Sequence, residues 1–456
     1  MKKIGVLGLT FSLLSATAVN AADIYVKGIN ISGLQRVEQE TVLSYIDIQN
    51  NKNVSQEKLD EALKQLYATG LFTDVSFNVA GDNVLNIKVV ENPIVNKRAF
   101  DGNDKIGDDK ELFSWLSQDI WPREAKFDAD IIYAGTKLAV LEMVKSGTVF
   151  FSDMYFEQAA IMKAVAECGI RAAVSIVGFD MFDPEQTKQK IAATEAFLEL
   201  FNPCPERISK TLSIHSVYTV SEELIRYMAK TAEAYALPLH IHASETRKEV
   251  EDCQKEHGCS PIAYLEKLGA LGPRTMLAHA VWLDDKDIDI ILKNEVKLIT
   301  NPSSNFKLAS GMFQFGKLKK AGCKIGIGTD GSASNNSLSM FDEMKLCALS
   351  AKIQSNTPTA GKAEDIFAAA TSSGAQIFGF EGGEIAEGKL ADCMIIDLNN
   401  PLMFPDYNLI SNLVYGADSS VVDTVICHGR IIMNNRRIPG EAEIMALARA
   451  ALKRFN

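Results

Sequence analysis

The chain has 456 residues, enough for two or three domains, and its content of 47% hydrophobic and 23% charged residues is ordinary for a globular protein. Its formal net charge of −11 argues against a general nucleic-acid binder, because such proteins present basic patches. The eight cysteines are scattered between Cys168 and Cys427 without zinc-ribbon or redox spacing, which is typical of an enzyme whose thiols stay reduced.

The first 21 residues have the pattern of a secretory signal peptide. Lys2 and Lys3 form a charged start, Ile4 to Val19 form an apolar run, and Val19-Asn20-Ala21 offers small residues for cleavage. The run is shorter than the roughly 20 residues of a membrane-spanning helix. We therefore predict a signal peptide at 1–21 and a periplasmic or outer-membrane-associated chain, with an uncleaved anchor as the alternative. The cysteine usage instead suits a cytoplasmic enzyme.

Residues 22–92 predict a small α+β domain. A strand, two helices and a hairpin of two strands are expected in that order. Their predicted bounds are Ile24 to Ile31, Glu38 to Ile46, Gln56 to Thr69 after the capping residue Ser55, Phe72 to Val79, and Val84 to Val90.

This order of elements resembles a POTRA domain, the unit that forms the periplasmic arm of the outer-membrane β-barrel assembly protein. The resemblance rests on Gly33-Leu34-Gln35-Arg36 and on the run from Leu66 to Val75. Residues 93–106 resemble the start of a second such repeat, which is never completed, and contain the junction to the remainder. The resemblance implies protein partners bound by strand addition. An unrelated small α+β domain is the alternative.

Residues 107–390 predict an α/β fold of repeated strand–helix units. Seven short apolar strands are expected, at Val149 to Tyr155, Ala172 to Val177, Lys210 to His215, Pro238 to His242, Thr275 to His279, Lys297 to Thr300 and Lys324 to Thr329. Parallel strands each followed by a helix form a TIM-type (β/α)8 barrel, but closure needs eight strands. The prediction is an incomplete barrel, followed at 391–456 by a β-sheet remnant and a terminal helix.

Several of these strands end in polar residues. In His240-Ile241-His242 the two imidazoles share one face of the strand, and Glu245 follows three residues later. His279 and Asp330 close two later strands. Imidazole and carboxylate ligands suit Zn²⁺ or Fe²⁺, whose bound water becomes a nucleophile near neutral pH. A nearby carboxylate can then move its proton. These strand ends predict a metal-dependent hydrolase site.

The second part of the chain resembles the amidohydrolase superfamily, and within it the deaminases of methylthioadenosine, S-adenosylhomocysteine and related adenosines. The matching segments run in family order. They are Trp115-Leu116, Ile120 to Glu124, Ser146-Gly147-Thr148, Asp153-Met154-Tyr155, His215 to Thr219, His240 to Thr246, Leu277-Ala278-His279, Asn301 to Gly311, and Gly328 to Gly331 with Ser334-Asn335-Asn336.

This resemblance implies a role for each matched residue. His242 and Asp330 would be metal ligands, and Asp330 is also a candidate general base. Glu245 would move protons at the purine ring, and His279 would stabilise the water or the tetrahedral centre. One divalent metal, zinc or alternatively iron, is implied.

The same resemblance implies a nucleoside substrate and two residues that bind it. Glu124 would bind the ribose hydroxyls, with a solvated helix-end carboxylate as the alternative, and His215 would contact the sugar. His240 is expected to be a packed barrel histidine. Relatives of this kind often form homo-oligomers.

The departures from the family pattern are at ligand positions. Counted back from Glu124, the His-x-His pair of the first barrel strand would fall at Val95 and Lys97, and the chain has no histidine before His215. Ile176 stands where the family has a substrate-binding arginine, so guanine, cytosine and ring amides stay open as substrates. Because half of the expected metal ligands are missing, the affinity of the site for a metal ion should be very low.

We therefore predict a chimera of a signal peptide, one POTRA-like domain and an N-terminally truncated amidohydrolase. The truncated enzyme descends from an adenosine-type deaminase and should bind little metal and turn over poorly. One alternative is an exported protein-binding module that acts through its POTRA-like domain. Another is that an assembly or gene-calling error joined two proteins, which amplification of source DNA across codons 90–115 tests directly.

Overall fold

The computed structural model describes residues 23–34, 39–69, 72–79, 81–91, 110–200 and 204–454. The predicted signal peptide and the junction at 93–106 lie outside the described residues. The chain divides into two compact units, Met1–Asn96 and Lys97–Asn456. None of the described helices is both long and apolar enough to cross a membrane.

The first unit is a small α+β domain, as predicted. Its elements are β1 (Ile24–Val26), β2 (Gly28–Ser32), α1 (Gln39–Ser44), β3 (Lys52–Val54), α2 (Gln56–Ala68), β4 (Phe72–Val79) and β5 (Val84–Glu91). The central strand β5 pairs in parallel with β2 and antiparallel with β4, while β1 pairs separately with β3.

Two details of this unit differ from the prediction. The single strand predicted from Ile24 to Ile31 is wrong, because the chain changes sheets within it: Lys27 donates its backbone N–H to Asn83 between β1 and β2. Strand β3 was not predicted. The cap at Ser55 is confirmed, since its hydroxyl accepts the backbone N–H of Lys58.

The second unit contains one seven-stranded parallel sheet, and all seven predicted strands are confirmed. They are β6 (Phe150–Met154), β7 (Arg171–Gly178), β8 (Ile208–Ile214), β9 (Leu239–Ala243), β10 (Thr275–His279), β11 (Lys297–Thr300) and β12 (Lys324–Ile327). They lie side by side in chain order. The described residues thus form an incomplete TIM-type barrel.

Helices connect these strands and cover the outer face of the sheet. They are α3 (Leu112–Trp115), α4 (Trp121–Glu124), α5 (Ala129–Lys145), α6 (Gln158–Cys168), α7 (Pro184–Glu199), α8 (Glu222–Ala234), α9 (Arg247–His257), α10 (Pro261–Lys267), α11 (Asp285–Lys293), α12 (Pro302–Lys307), α13 (Phe315–Ala321), α14 (Ser332–Asn335), α15 (Met340–Gln354), α16 (Ala363–Ala370) and α17 (Ser372–Phe378).

A second, small sheet follows the barrel strands and helices within the second unit, as predicted. It is antiparallel and consists of β13 (Cys393–Ile396), β14 (Val422–Cys427) and β15 (Arg430–Met433). The short helix α18 (Leu409–Ser411) precedes β14, and the terminal helix α19 (Glu441–Leu452) packs on α5 through a cluster that includes Leu138 and Ala448.

Candidate active site

The polar residues predicted at the strand ends lie together at one end of the barrel sheet. His215 follows β8 directly, His242 is the penultimate residue of β9, His279 ends β10, and Asp330 lies three residues after β12. Their imidazoles form a continuous row, since the ring centroids of His242 lie 5.4 Å from those of both His215 and His279. Carboxyl ends of parallel strands are where active sites of such barrels form.

The backbone at these strand ends adopts an unusual conformation. Ser244, His279, Ala280 and Asp330 all have positive φ angles, of 53°, 68°, 45° and 59°. Residues other than glycine pay an energetic cost in this region, and such residues cluster at functional sites. These residues lie at or just after the ends of β9, β10 and β12, where the chain carries the candidate site residues.

His242 is held as a neutral imidazole. Its Nδ1–H donates to the backbone carbonyl of His215 at 2.8 Å, because a carbonyl can only accept. Burial and, to a lesser extent, the neighbouring His279 lower the pKa of His242 to about 4. The lone pair of its Nε2 is therefore available at neutral pH.

His279 and Glu245 form a buried acid–base pair. The Nδ1–H of His279 donates to the side-chain oxygen of Asn305 at 2.8 Å, and its Nε2 lies 3.6 Å from the Glu245 carboxylate. Burial opposes a charge on His279, but the carboxylates of Glu245 and Asp330 outweigh it and raise its pKa. Burial also raises the pKa of Glu245. The pair can hold and move a proton inside the site.

Asp330 is held ionised by two hydroxyl groups. Its Oδ2 accepts from Ser304 at 2.6 Å and from Ser334 at 2.7 Å. Burial opposes the charge, yet His279 and these hydroxyls together lower the pKa of Asp330. An anionic carboxylate thus faces the row of imidazoles.

Glu124 and His215 line the same cavity as the catalytic candidates, which has a volume of about 1220 Å³. Glu124 accepts a hydrogen bond of 2.7 Å from the hydroxyl of Tyr155. The Nδ1 of His215 lies 2.8 Å from the hydroxyl of Thr219, and burial lowers the pKa of His215 to about 3. The structure therefore brings all six predicted site residues to one cavity.

His240 differs from the packed histidine that we expected. It lines the cavity, and neither of its buried ring nitrogens has a hydrogen-bond partner among the described residues. Burial lowers its pKa to about 3. Tyr155 and Asn305 were also missed, although both lie within the segments that match the family. Which residues contact the site depends on how the chain folds. The spacing of residues in the sequence therefore does not predict such contacts.

A model of the amidohydrolase family matches residues 101–432, and a POTRA model, described as a surface antigen variable number repeat, matches residues 24–92. The first match covers most of the chain and all of the barrel site. The chain belongs to the amidohydrolase family.

Relatives in this family include archaeal deaminases. The chain is 43% identical to a 5'-deoxyadenosine deaminase of Methanothermobacter thermautotrophicus, over 76% of this chain and 82% of the relative. It is also 43% identical to a 5-methylthioadenosine/S-adenosylhomocysteine deaminase 1 of Archaeoglobus fulgidus, over 75% of this chain and 81% of that one.

Solved structures of the family have the same fold. An adenosine deaminase from Xanthomonas campestris with bound zinc matches with a TM-score of 0.73 at 30% identity, over 78% of this chain and 83% of that one. A guanine deaminase from C. acetobutylicum with bound guanine matches with a TM-score of 0.67 at 25% identity, over 73% and 84%.

Within the residues that the structure describes, the donor set does not fit a tightly held metal. Among the residues that the structure describes, no three His, Cys, Asp or Glu side chains are arranged to hold an ion. His242 and Asp330 offer two donors, whereas catalytic zinc sites use three protein ligands and an open position. Val95 and Lys97, at the expected positions of the His-x-His pair, lie outside the described residues and are not ligand types that would replace it.

Proposed function

We propose that the barrel binds an adenosine-type nucleoside and that this chain alone deaminates it poorly. The observation that carries the proposal is the convergence of the acid–base pair His279–Glu245 with Glu124 and His215 on one cavity. The deaminases among the relatives favour a purine nucleoside of the methylthioadenosine or S-adenosylhomocysteine type.

The residues of this chain can bind and orient such a substrate. Glu124 can accept hydrogen bonds from ribose hydroxyls, since carboxylates form strong charge-assisted hydrogen bonds. Glu245 has a raised pKa, which favours the protonated form that gives a proton to a purine ring nitrogen. Zn²⁺ or Fe²⁺ would supply the activated water in a complete site, and His242 and Asp330 would be two of its ligands, but the described residues contain no group of three donors.

The first test separates binding from turnover. We expect titration calorimetry with S-adenosylhomocysteine or methylthioadenosine to detect binding, and Glu124→Ala to weaken it about tenfold or more, as for a lost hydrogen bond to a charged group. Glu111→Ala, which removes an exposed carboxylate from the same part of the chain, is the control. Equal affinity of the two variants would contradict the assigned role of Glu124.

The second test concerns the reaction. We expect the purified chain to retain well under one metal ion per chain, measured by elemental analysis after dialysis. Ammonia release should then be no faster than for Glu245→Ala. A stoichiometric metal ion together with turnover that Glu245→Ala abolishes would show that the chain is a competent deaminase and overturn the second half of the proposal.

An observation on the first unit favours a second proposal, that the chain is an exported module that binds a partner protein. The three-stranded sheet of this unit has the order β2-β5-β4, so the eight-residue strand β4 pairs on one side only within the described residues. Such edges accept an added strand. We propose that residues 1–21 export the chain, and a pull-down with outer-membrane assembly components tests the partner. A chain without residues 23–91 should capture none of them.

A further inference from the structure

The side chain of Ser310 binds one oxygen of the Glu245 carboxyl group. Its hydroxyl donates to Oε1 of Glu245 at 3.0 Å, while Oε2 is the oxygen that lies 3.6 Å from Nε2 of His279. Ser310 and Glu245 are both almost fully buried, and a hydrogen bond is electrostatically stronger in such surroundings than in water. The two oxygens of this carboxyl group therefore differ in what they can do.

The Ser310 hydroxyl determines which oxygen of Glu245 can carry a proton. A protonated carboxyl group has one O–H donor, and its other oxygen is a carbonyl acceptor. Because Oε1 already accepts the hydroxyl of Ser310, the acid proton belongs on Oε2. Burial favours the protonated form, since it raises the pKa of Glu245. Glu245 lines the cavity, so Oε2 can donate its proton to a group that enters it.

The backbone of Ser310 is fixed in place independently of its hydroxyl. Its N–H donates to the carbonyl of Asn305 at 2.8 Å, and its carbonyl accepts the indole N–H of Trp282 at 2.6 Å. The next residue, Gly311, has a positive φ of 134°, and a Cβ there would lie 2.8 Å from Cγ1 of Val281. Only glycine satisfies both conditions without strain, so the chain passes Ser310 in one conformation.

The segment that carries Ser310 also holds His279. The side-chain oxygen of Asn305 accepts the Nδ1–H of His279 at 2.8 Å, while the backbone carbonyl of Asn305 accepts the N–H of Ser310. One short segment thus contacts both members of the acid–base pair, His279 through Asn305 and Glu245 through Ser310. Side chains that hold a functional group by hydrogen bonds fix the orientation in which it acts.

Trp282 connects this segment to the turn that carries Glu245. Its indole N–H binds the carbonyl of Ser310, and its backbone N–H donates to the carbonyl of Ser244 at 2.9 Å. The guanidinium of the exposed residue Arg247 lies 4.5 Å over the indole ring. A cation over an aromatic face stabilises such an arrangement. Trp282 therefore keeps the hydroxyl of Ser310 and the carboxyl group of Glu245 at a fixed separation.

We propose that Ser310 is a positioning residue that places the proton of Glu245 on Oε2 and so makes this carboxyl group a donor to the bound base. The base that fits has an unprotonated ring nitrogen beside the carbon that carries its amino group, as adenine has. When the proton moves, the O–H bond at Oε2 breaks, the lone pair of the ring nitrogen takes the proton, and the hydroxyl of Ser310 stabilises the carboxylate that is left. The identity of the base rests on the proposed function, whereas the position of the proton does not.

The first test needs no nucleoside. Near neutral pH, where exposed carboxyl groups are ionised, the C=O stretching band of protonated Glu245 is identified in infrared spectra of the full chain by its loss in Glu245→Gln. Because Oε1 is then the carbonyl oxygen, Ser310→Ala should move this band to higher frequency. Ser310→Cys, which keeps a weaker donor, should move it less. Ser350→Ala removes a hydroxyl that donates to the Cys347 carbonyl outside the cavity lining and should leave the band unchanged.

The second test compares methylthioadenosine with its 1-deaza analogue, in which C–H replaces the ring nitrogen beside the amino-bearing carbon. In titration calorimetry the wild-type chain should prefer methylthioadenosine about tenfold, as for one hydrogen bond. Ser310→Ala should remove most of this preference, and Ser350→Ala should retain it. In a Glu245→Ala background, Ser310→Ala should have no further effect on the preference, because Ser310 acts through Glu245.

The two tests let this inference and the nucleoside proposal fail separately. A Glu245 band that Ser310→Ala does not move, or the absence of any band that Glu245→Gln removes, would overturn the placement of the proton on Oε2. Equal weakening of both nucleosides by Ser310→Ala would show a structural role for Ser310 and overturn its assignment as a positioning residue. A wild-type chain that binds neither nucleoside would refute the proposed function, while the infrared result would still decide where the proton lies.

Discussion

Behind the strand end at His242, the buried carboxylate of Glu249 holds the turn that carries Glu245. Its two oxygens accept the backbone N–H groups of Ser244 and Glu245 at 2.9 and 2.8 Å. Ser244 sits at a positive φ of 53°, so these hydrogen bonds stabilise a conformation that the residue adopts at a cost. Glu249 is therefore a positioning residue for Glu245.

We predict that Glu249→Ala destabilises the barrel, because it leaves two buried N–H groups without acceptors. The free energy of unfolding, measured with urea, should fall by about 1–3 kcal/mol for each unpaired N–H group. Glu251→Ala removes an exposed carboxylate from the same helix, α9, and should leave the unfolding midpoint unchanged. Equal midpoints for the two variants would show that the turn is held by other contacts.

At the scale of elements, a buried ion pair joins the barrel sheet to the C-terminal sheet. Arg171, the first residue of β7, donates through Nε and Nη2 to Asp392 at 2.8 and 3.2 Å, and both side chains are almost fully buried. Asp392 also accepts the backbone N–H of His428, which precedes β15. The pair fixes the position of strand β13, which begins one residue after Asp392.

We predict that Asp392→Ala costs about 3–5 kcal/mol of unfolding free energy, since it leaves the Arg171 guanidinium buried and uncompensated. Thermal and urea unfolding would measure this loss. Glu381→Ala breaks the exposed pair between Glu381 and Lys389 and should have no measurable effect. Retention of full stability by Asp392→Ala would mean that water reaches Arg171 and replaces the carboxylate.

The strands also show which features of the fold can be predicted from sequence patterns. The strands of the barrel sheet were predictable because buried parallel strands are continuous apolar runs, and Thr275–His279 was predicted to the residue. Strand β3 was not predictable, because its three residues, Lys52–Val54, hold no periodicity. Lys27 shows a second limit, since the change of sheet there depends on a partner, Asn83, far along the chain.

Some features of the candidate site could likewise be predicted from the sequence, and others could not. Polar residues at strand ends identified His242 and Asp330, since strand ends meet at one edge of a parallel sheet. The environment of His240 was not predictable, because a strand histidine packs or faces a cavity according to what fills the opposite wall. No local pattern around His240 records that wall.

At the scale of the whole molecule, the two units have separate hydrophobic cores. Leu66 of α2 is fully buried in the first, and Leu212 of β8 is fully buried in the second. All three tryptophans, Trp115, Trp121 and Trp282, belong to the second unit. Tryptophan fluorescence therefore reports on the barrel, while far-ultraviolet circular dichroism reports on both units.

We predict that Leu66→Ala lowers the stability of the first unit by about 2–5 kcal/mol through the cavity it leaves. Circular dichroism should show this as an earlier transition, while the fluorescence midpoint stays at the wild-type value. Leu212→Ala, the matched truncation in the other core, should shift the fluorescence midpoint instead. If Leu66→Ala moved the fluorescence transition too, the units would unfold cooperatively, and the first unit would contribute to the stability of the amidohydrolase barrel, in which seven strands are described.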